Sequence, residues 1–225
     1  MRFLDLGTVD FHEALRLQAA TLAEIAAGGA EETVYLLEHP HVFTIGRRGR
    51  ESNLLARRDF EGREISVARI NRGGDITYHG PGQLVGYPLL DLRRRQRDLH
   101  RFLRDLEYCL IRTAAEFGVE AFRREGLTGV WTREGKLASI GIGVRNWITM
   151  HGFALNVATD LRYFGLINPC GIEACPVVSL ETLVGGKIPL VQVKESVRGA
   201  FAQVFRETSR TPEPGDFSDF ARLSR

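Results

Sequence analysis

Apolar residues recur along this chain in two rhythms, one of helical period and one alternating or continuous as in strands. After Asp10, placed to cap a helix, Phe11, Leu15, Leu22 and Ile25 fall near one helical face, and Gly28 and Gly29 end the run. The stretch 33–40 (TVYLLEHP) reads as a buried strand closed by Pro40, and 41–50 as a loop or short strand with a basic end. Alternation over 64–70 (EISVARI) predicts a strand running into a glycine-rich segment, 71–83, expected to be loop-like; 83–92 is the next strand. From 93 to 118, Leu99, Phe102, Leu103, Leu106, Leu110 and Ala114 keep helical spacing, with Gly118 at the C-terminal cap. Short strands and turns follow, with a hairpin at TREGK, then a Gly/Pro loop over 160–176 and a final helix from about 192 to 208. Residues 210–225 are polar and are expected to form a flexible tail.

No linker, repeat or low-complexity stretch divides these elements. For 25.2 kDa the area scaling of folded chains leaves roughly 10,000 Å² exposed out of about 37,000 Å², enough burial for one sizeable core, so a single domain over 1–225 is expected. A 44% hydrophobic and 26% charged composition excludes disordered, collagenous and disulfide-scaffold chains. With 30 basic against 28 acidic side chains, whole-molecule charge favours neither nucleic acid nor a membrane surface, and steering must come from local clusters. The odd set Cys109, Cys170 and Cys175, the acidic N-terminus without an apolar segment, and the lack of an 18-residue apolar run point to a cytoplasmic protein with free thiols.

Three segments stand out chemically. In RGGDITYHGPGQ, Arg72 to Gln83, four glycines open the backbone to a ligand among Arg72, Asp75, Tyr78 and His79. The pattern is neither a phosphate-binding loop nor a dinucleotide fingerprint, so a nucleotide is not implied. In GVWTREGKLASIGIGV, Lys136 sits on the hairpin and SIGIG is a strand of small residues; HGFALN, 151–156, is similar, and His151 by itself reads as a core histidine. In NPCGIEACP, the C-x₄-C spacing of Cys170 and Cys175 has no second pair, so neither a zinc site nor a redox C-x-x-C is formed. Cys170, between Pro169 and Gly171, is placed to present its thiol; Cys175, ahead of Pro176 and VVSL, reads as packed, and Cys109 as core.

Taken in order and spacing, RGGDITYHGPGQLVGYPLLDL, GVWTREGKLASIGIGVRNWITMHGFALNV and INPCGI resemble the lipoyl(octanoyl) transferase family over roughly residues 30 to 185. The resemblance implies an α/β (α+β) domain similar to the biotin and lipoate protein ligase catalytic domains, with mixed, mostly antiparallel sheets and outer helices. It implies transfer of an octanoyl group from acyl carrier protein to a lysine of lipoyl-domain proteins, those of 2-oxoacid dehydrogenase complexes and the glycine cleavage H protein. By the same resemblance Cys170 takes the acyl group and Lys136 lowers the pKa of that thiol. The substrate-binding segments then map to Arg72, Gly73, Gly74, Asp75, Ile76, Thr77, Tyr78 and His79, to Ser139, Ile140 and Gly141, and to Gly152, Phe153 and Ala154. Where the family usually reads Thr-Ser-Leu, this chain has Val178, Ser179 and Leu180.

That chemistry suits the residues. A thiolate attacks a thioester readily and leaves readily, a neighbouring ammonium favours the thiolate, and backbone N–H groups stabilise an oxyanion. The donor is already activated, so neither ATP, metal nor other cofactor is expected. Tyr78, Leu137, Ile140 and Phe153 are candidates for lining an acyl tunnel. The arginines Arg93, Arg94, Arg95, Arg97, Arg101 and Arg104 are either a solvated helix face or a docking site for an acidic carrier protein. The alternatives are an ATP-dependent lipoate or biotin ligase of the same fold, which has no need of Cys170, and a non-catalytic module that only binds lipoyl or carrier domains.

Overall fold

A computed structural model describes residues 1–169 and 175–207. Among them, ten strands and four α-helices form two sheets with helices outside. In chain order these are β1 (Arg2–Thr8), α1 (Phe11–Ala27), β2 (Thr33–Glu38), β3 (Val42–Ile45), β4 (Ser66–Arg69), β5 (Ile76–His79) and β6 (Gln83–Leu89). There follow α2 (Leu99–Glu116), β7 (Phe122–Arg124), β8 (Leu127–Trp131), β9 (Lys136–Arg145), β10 (Ile148–Asn156), α3 (Leu180–Val184) and α4 (Leu190–Glu207).

The seven-stranded sheet runs β1-β2-β6-β10-β9-β8-β7; β1 pairs parallel to β2 and the other neighbours are antiparallel. A second sheet, β4-β3-β5, is mixed. One face of the large sheet, through Phe153, Leu155, Ala138 and Ile142, packs on Phe102, Leu106 and Leu110 of α2 and Val197 and Phe201 of α4. The other face, through Ala154, Val85 and Tyr87, packs on Ala14, Leu22 and Ile25 of α1. Phe11, the first residue of α1, then meets Val42 and Ala68 of the small sheet. The two sheets therefore face each other on the α1 side, and the cleft described below lies between them.

Local chemistry explains where the elements begin and end. Asp10 caps α1 by accepting from the amides of His12 and Glu13, and Gly28 closes it in the left-handed conformation at φ 77°. A two-residue turn, Asn146 and Trp147, both at positive φ, joins β9 to β10, the geometry that suits the twist of a hairpin.

Three expectations are corrected. Residues 76–79, expected as loop, form β5, because ITYH is β-branched and aromatic and pairs with β3 despite its glycine flanks. The long helix starts at Leu99 and not near 93: Asp98 caps it by accepting from the Arg101 amide, while 92–94 form a 3₁₀ turn held by Asp91. β1 had no assigned strand, and it pairs with β2 at the sheet's edge. Cys170 and the 210–225 tail lie outside the described residues.

Candidate active site

The cleft between the sheets leaves about 50 Å³ of room for the centres of water-sized molecules and is partly open to solvent. Its floor is set by strand pairing. Gly152 of β10 lies opposite Gly141 of β9, and Ala154 opposite Ser139, so four small residues form a block on the face turned away from α2 and α4. Over this floor folds the 71–75 loop, docked by a hydrogen bond from the Gly73 amide to the Ile142 carbonyl at 2.9 Å. A Cβ added at Gly141 would stand 2.9 Å from the Gly73 carbonyl oxygen, so glycine is what lets the loop sit this close.

The loop is braced by Arg72. Its guanidinium donates to the Thr44 carbonyl at 2.6 Å, the Thr44 hydroxyl at 3.0 Å and the Gly73 carbonyl at 2.9 Å. Asp75 also borders the cleft, with its carboxylate turned to the outer wall, where it accepts from Asn53 Nδ2 at 2.7 Å and from the Arg50 amide at 3.3 Å.

β5 alternates across the small sheet. Ile76 and Tyr78 are in the apolar cluster beneath it, while Thr77 and His79 border the cleft. Tyr78 is thus turned away from the floor: its ring stacks on Tyr163 at 4.9 Å and its hydroxyl meets His41 Nδ1 at 2.7 Å. Thr77 is 7% exposed, and its hydroxyl has no hydrogen-bond partner among the described residues.

His79 heads a chain of hydrogen bonds. The Gln83 amide nitrogen donates to the Tyr78 carbonyl and to Asn156 Oδ1, so its oxygen accepts from His79 Nδ1 at 2.8 Å. His79 Nε2 then accepts from the Thr44 hydroxyl at 3.3 Å. Asn156 Nδ2 passes the chain on to the Val178 carbonyl at 3.0 Å. The roof of the cleft is in this way tied to the segment that follows Cys170. Burial, and then the neighbouring His39, hold the His79 imidazole neutral with its pKa down to about 3.

Lys136 opens β9 and is 3% exposed. Its backbone is clamped by that same segment: its amide donates to the Pro176 carbonyl at 2.8 Å, and its carbonyl accepts from the Val178 amide at 3.0 Å. Its side chain lies against Gly129, where an added Cβ would come within 2.9 Å of Lys136 Cε. Gly129 is fixed in turn by Glu107 of α2, a fully buried carboxylate that accepts from the Gly129 amide, Arg104 and Arg123.

Of the residues singled out from sequence, Arg72, Gly74, Asp75, Ile76, Thr77, His79, Lys136, Ser139, Ile140, Gly141, Gly152, Phe153 and Ala154 all border this one cleft. Gly73 anchors its roof. Phe153 reaches it only at its edge, since its ring runs into the opposite core against Phe201, 6.0 Å away. Leu137 is fully buried in that same core and does not border the cleft. Cys175 is half-buried, not packed in the core; Cys109 is core, and burial pushes its thiol pKa well up.

Four bordering residues had no assigned role: Phe11, Ile70, Tyr87 and His151. His151 sits in mid-strand at φ 57°, a conformation costing a non-glycine residue about 1–3 kcal/mol. It is held there from both sides, its amide donating to Gln18 Oε1 at 2.7 Å and Nε2 meeting Asn71 Oδ1 at 2.6 Å. Burial, with Arg72 nearby, lowers its pKa to about 4. Its place directly before the small Gly152 was the available signal.

Residues 10–202 match the lipoyl protein ligase A/B catalytic domain. An octanoyltransferase of Geotalea uraniireducens is 57% identical over 201 residues, covering 89% of this chain and 91% of that protein. In fold, the bipartite lipoate protein ligase of Thermoplasma acidophilum, studied with its E2 lipoyl domain, superposes with a TM-score of 0.66 at 16% identity, covering 91% of this chain and 83% of the other. The biotin protein ligase of Aquifex aeolicus with biotin and ATP gives 0.55 at 13% identity, covering 93% and 73%. Among the described residues no helix is long and apolar enough to cross a membrane.

Proposed function

The chain belongs to the octanoyltransferase family, on the lipoyl protein ligase A/B catalytic domain, and from that premise we propose that it carries octanoyl from acyl carrier protein to a lipoyl-domain lysine through a thioester on Cys170. In the first half-reaction the Cys170 thiolate attacks the donor thioester carbonyl. A carbon–sulfur bond forms to Cys170, the bond to the carrier's thiol breaks, and that thiolate takes up a proton. In the second, the acceptor lysine amine attacks the Cys170 thioester, an amide forms, and the Cys170 thiolate leaves. Lys136, left as a neutral amine once its ammonium has given the proton taken up by the departing carrier thiolate, receives the proton lost by the acceptor amine. The acceptors are lipoyl domains of 2-oxoacid dehydrogenase complexes and the glycine cleavage H protein, and the setting is cytoplasmic.

One observation carries this reading. Lys136, a buried cation donor at the cleft, has both backbone hydrogen bonds spent on residues 176 and 178, a few positions beyond Cys170. An ammonium held close to a thiol favours its thiolate. The floor of Ser139, Gly141, Gly152 and Ala154 adds a strip of small residues bordering the cleft, with the 71–75 loop packed on it at Gly141.

The test is exposure to octanoyl-carrier protein without ATP, followed by intact mass and peptide mapping. One octanoyl group on the Cys170 peptide, removed by hydroxylamine and absent from Cys170→Ser, is expected. Transfer that requires ATP would instead identify a ligase, and no transfer under any condition a binding module.

A further inference from the structure

We propose that the loop 46–55 is the docking surface for an acidic protein that brings the acyl group, with Arg47, Arg48 and Arg50 meeting its carboxylates and Leu55 its apolar ridge. The inference rests on the transfer reading above for what the partner carries, and on this loop alone for where it binds.

The arginines of 93–104 are poor candidates, because the structure spends most of them internally. Arg93 and Arg94 pair with Asp91, Arg95 with Glu32, and Arg104 with Glu107. They also border α2, whose core lies on the sheet face opposite the cleft.

The loop 46–55 (GRRGRESNLL) is different. Arg47, Arg48 and Arg50 are exposed, and none pairs with a carboxylate among the described residues. The loop's single acidic residue, Glu51, is within 3.4 Å of Arg69, so it does not offset them. Leu55, in the same loop, is 57% exposed and adds an apolar contact point beside the charges.

Position makes the patch specific. On one side the loop is bonded to the roof of the cleft: Gly46 N to Asp75 O at 3.0 Å, Arg47 N to Arg72 O at 3.0 Å and Arg48 N to Gly74 O at 3.2 Å. On the other it is bonded to the segment running toward Cys170: Asn168 N to Asn53 O at 2.8 Å and Leu55 N to Leu166 O at 2.9 Å. The basic side chains therefore stand between the mouth of the cleft and the chain leading to the thiol. Their backbone is fixed beforehand, so a partner has less loop to order on binding. Charges placed this way act chiefly on encounter rate and its salt dependence.

The test compares two donors, octanoyl-carrier protein and a small octanoyl thioester of N-acetylcysteamine, on the full chain. Arg47→Glu with Arg48→Glu should raise the KM for the protein donor tenfold or more and flatten its salt response, while kinetics with the small thioester stay as in the parent. Arg50→Glu alone should do the same to a smaller extent, and it serves if the double variant unfolds. An equal rise with both donors, or no rise with either, overturns the docking surface. A parent protein that transfers from neither donor refutes the transfer reading instead.

Discussion

Lys136 Nζ lies 5.3 Å from the centroid of the Trp131 ring, and the guanidinium carbon of Arg124 lies 5.2 Å from the same ring. A ring face attracts a cation at that distance by about 0.5–2 kcal/mol. The indole therefore helps to keep the ammonium in one place. Trp131→Leu should slow alkylation of Cys170 at pH 7 by roughly 2- to 30-fold, the rate equivalent of that energy. Trp131→Phe, which keeps a ring, should recover most of the loss. Rates of iodoacetamide labelling against pH read this directly, and superimposed curves for parent and Trp131→Leu would remove the role.

Thr77 faces the cleft with a buried hydroxyl that no described residue engages. A hydrogen bond made there with bound acyl donor is worth about 0.5–1.5 kcal/mol. Thr77→Val should thus raise the donor KM about 2- to 10-fold, with the urea midpoint unchanged or slightly higher, because the lost group was unsatisfied. A lower midpoint with normal KM would show the hydroxyl to be structural.

The buried imidazoles make stability depend on acid. His79 and His151 have pKa values near 3 and 4 in the folded chain, both held down by burial, against about 6.5 unfolded. Between those values the unfolded chain binds protons that the folded chain does not. Stability is complete above pH 6.5 and falls as the pH drops toward the folded values, by about 1.4 kcal/mol per pH unit for each imidazole. Urea midpoints at pH 7.5 and 5.0 should differ accordingly, and His79→Gln should show the shallower dependence. A midpoint flat from pH 7.5 to 5.0 would contradict the burial of both rings.

Gly152 has no room for a side chain, since a Cβ there would stand 2.1 Å from the Gly86 carbonyl oxygen on β6. Gly152→Ala must push β10 from β6 or move His151, and the strain of such overpacking is about 1–3 kcal/mol. A fall in the thermal midpoint together with weaker octanoyl binding is expected. Gly165→Ala, where nothing lies within 4 Å, is the control and should leave both unchanged.

Local signals were legible where one residue decides the outcome. Asp10 and Gly28 bound α1 as read from the sequence, and residues of the segments around Arg72–His79, Ser139–Gly141 and Gly152–Ala154 border one cleft. The failures share a cause, since each depended on a partner distant in the chain. ITYH is a strand because β3 lies beside it, and the alternation of that strand turns Tyr78 out of the site, onto the ring of Tyr163. Arg95 reads as surface charge until Glu32, from the loop before β2, reaches it. His151, read as a core histidine, is buried, and what the sequence did not show is that Gln18 and Asn71 hold it left-handed beside the cleft. Lys136, placed on a hairpin by the sequence, is buried against Gly129 and Trp131, with its backbone bonded to Pro176 and Val178.

The two margins of the large sheet bear on how this protein behaves when concentrated. β7 is only three residues long and carries Arg123 and Arg124, so a second molecule approaching it meets positive charge before it finds a run of free amides. β1, at the other margin, has α4 at its flank, with Phe3 against Phe201 and Asp5 bonded to Lys194. Charged and covered margins of this kind oppose strand-by-strand stacking into fibres. The broad sheet that supports the cleft is in this way guarded against edge-to-edge growth, and Arg123→Val with Arg124→Val should turn its β7 margin into a growth point for aggregates.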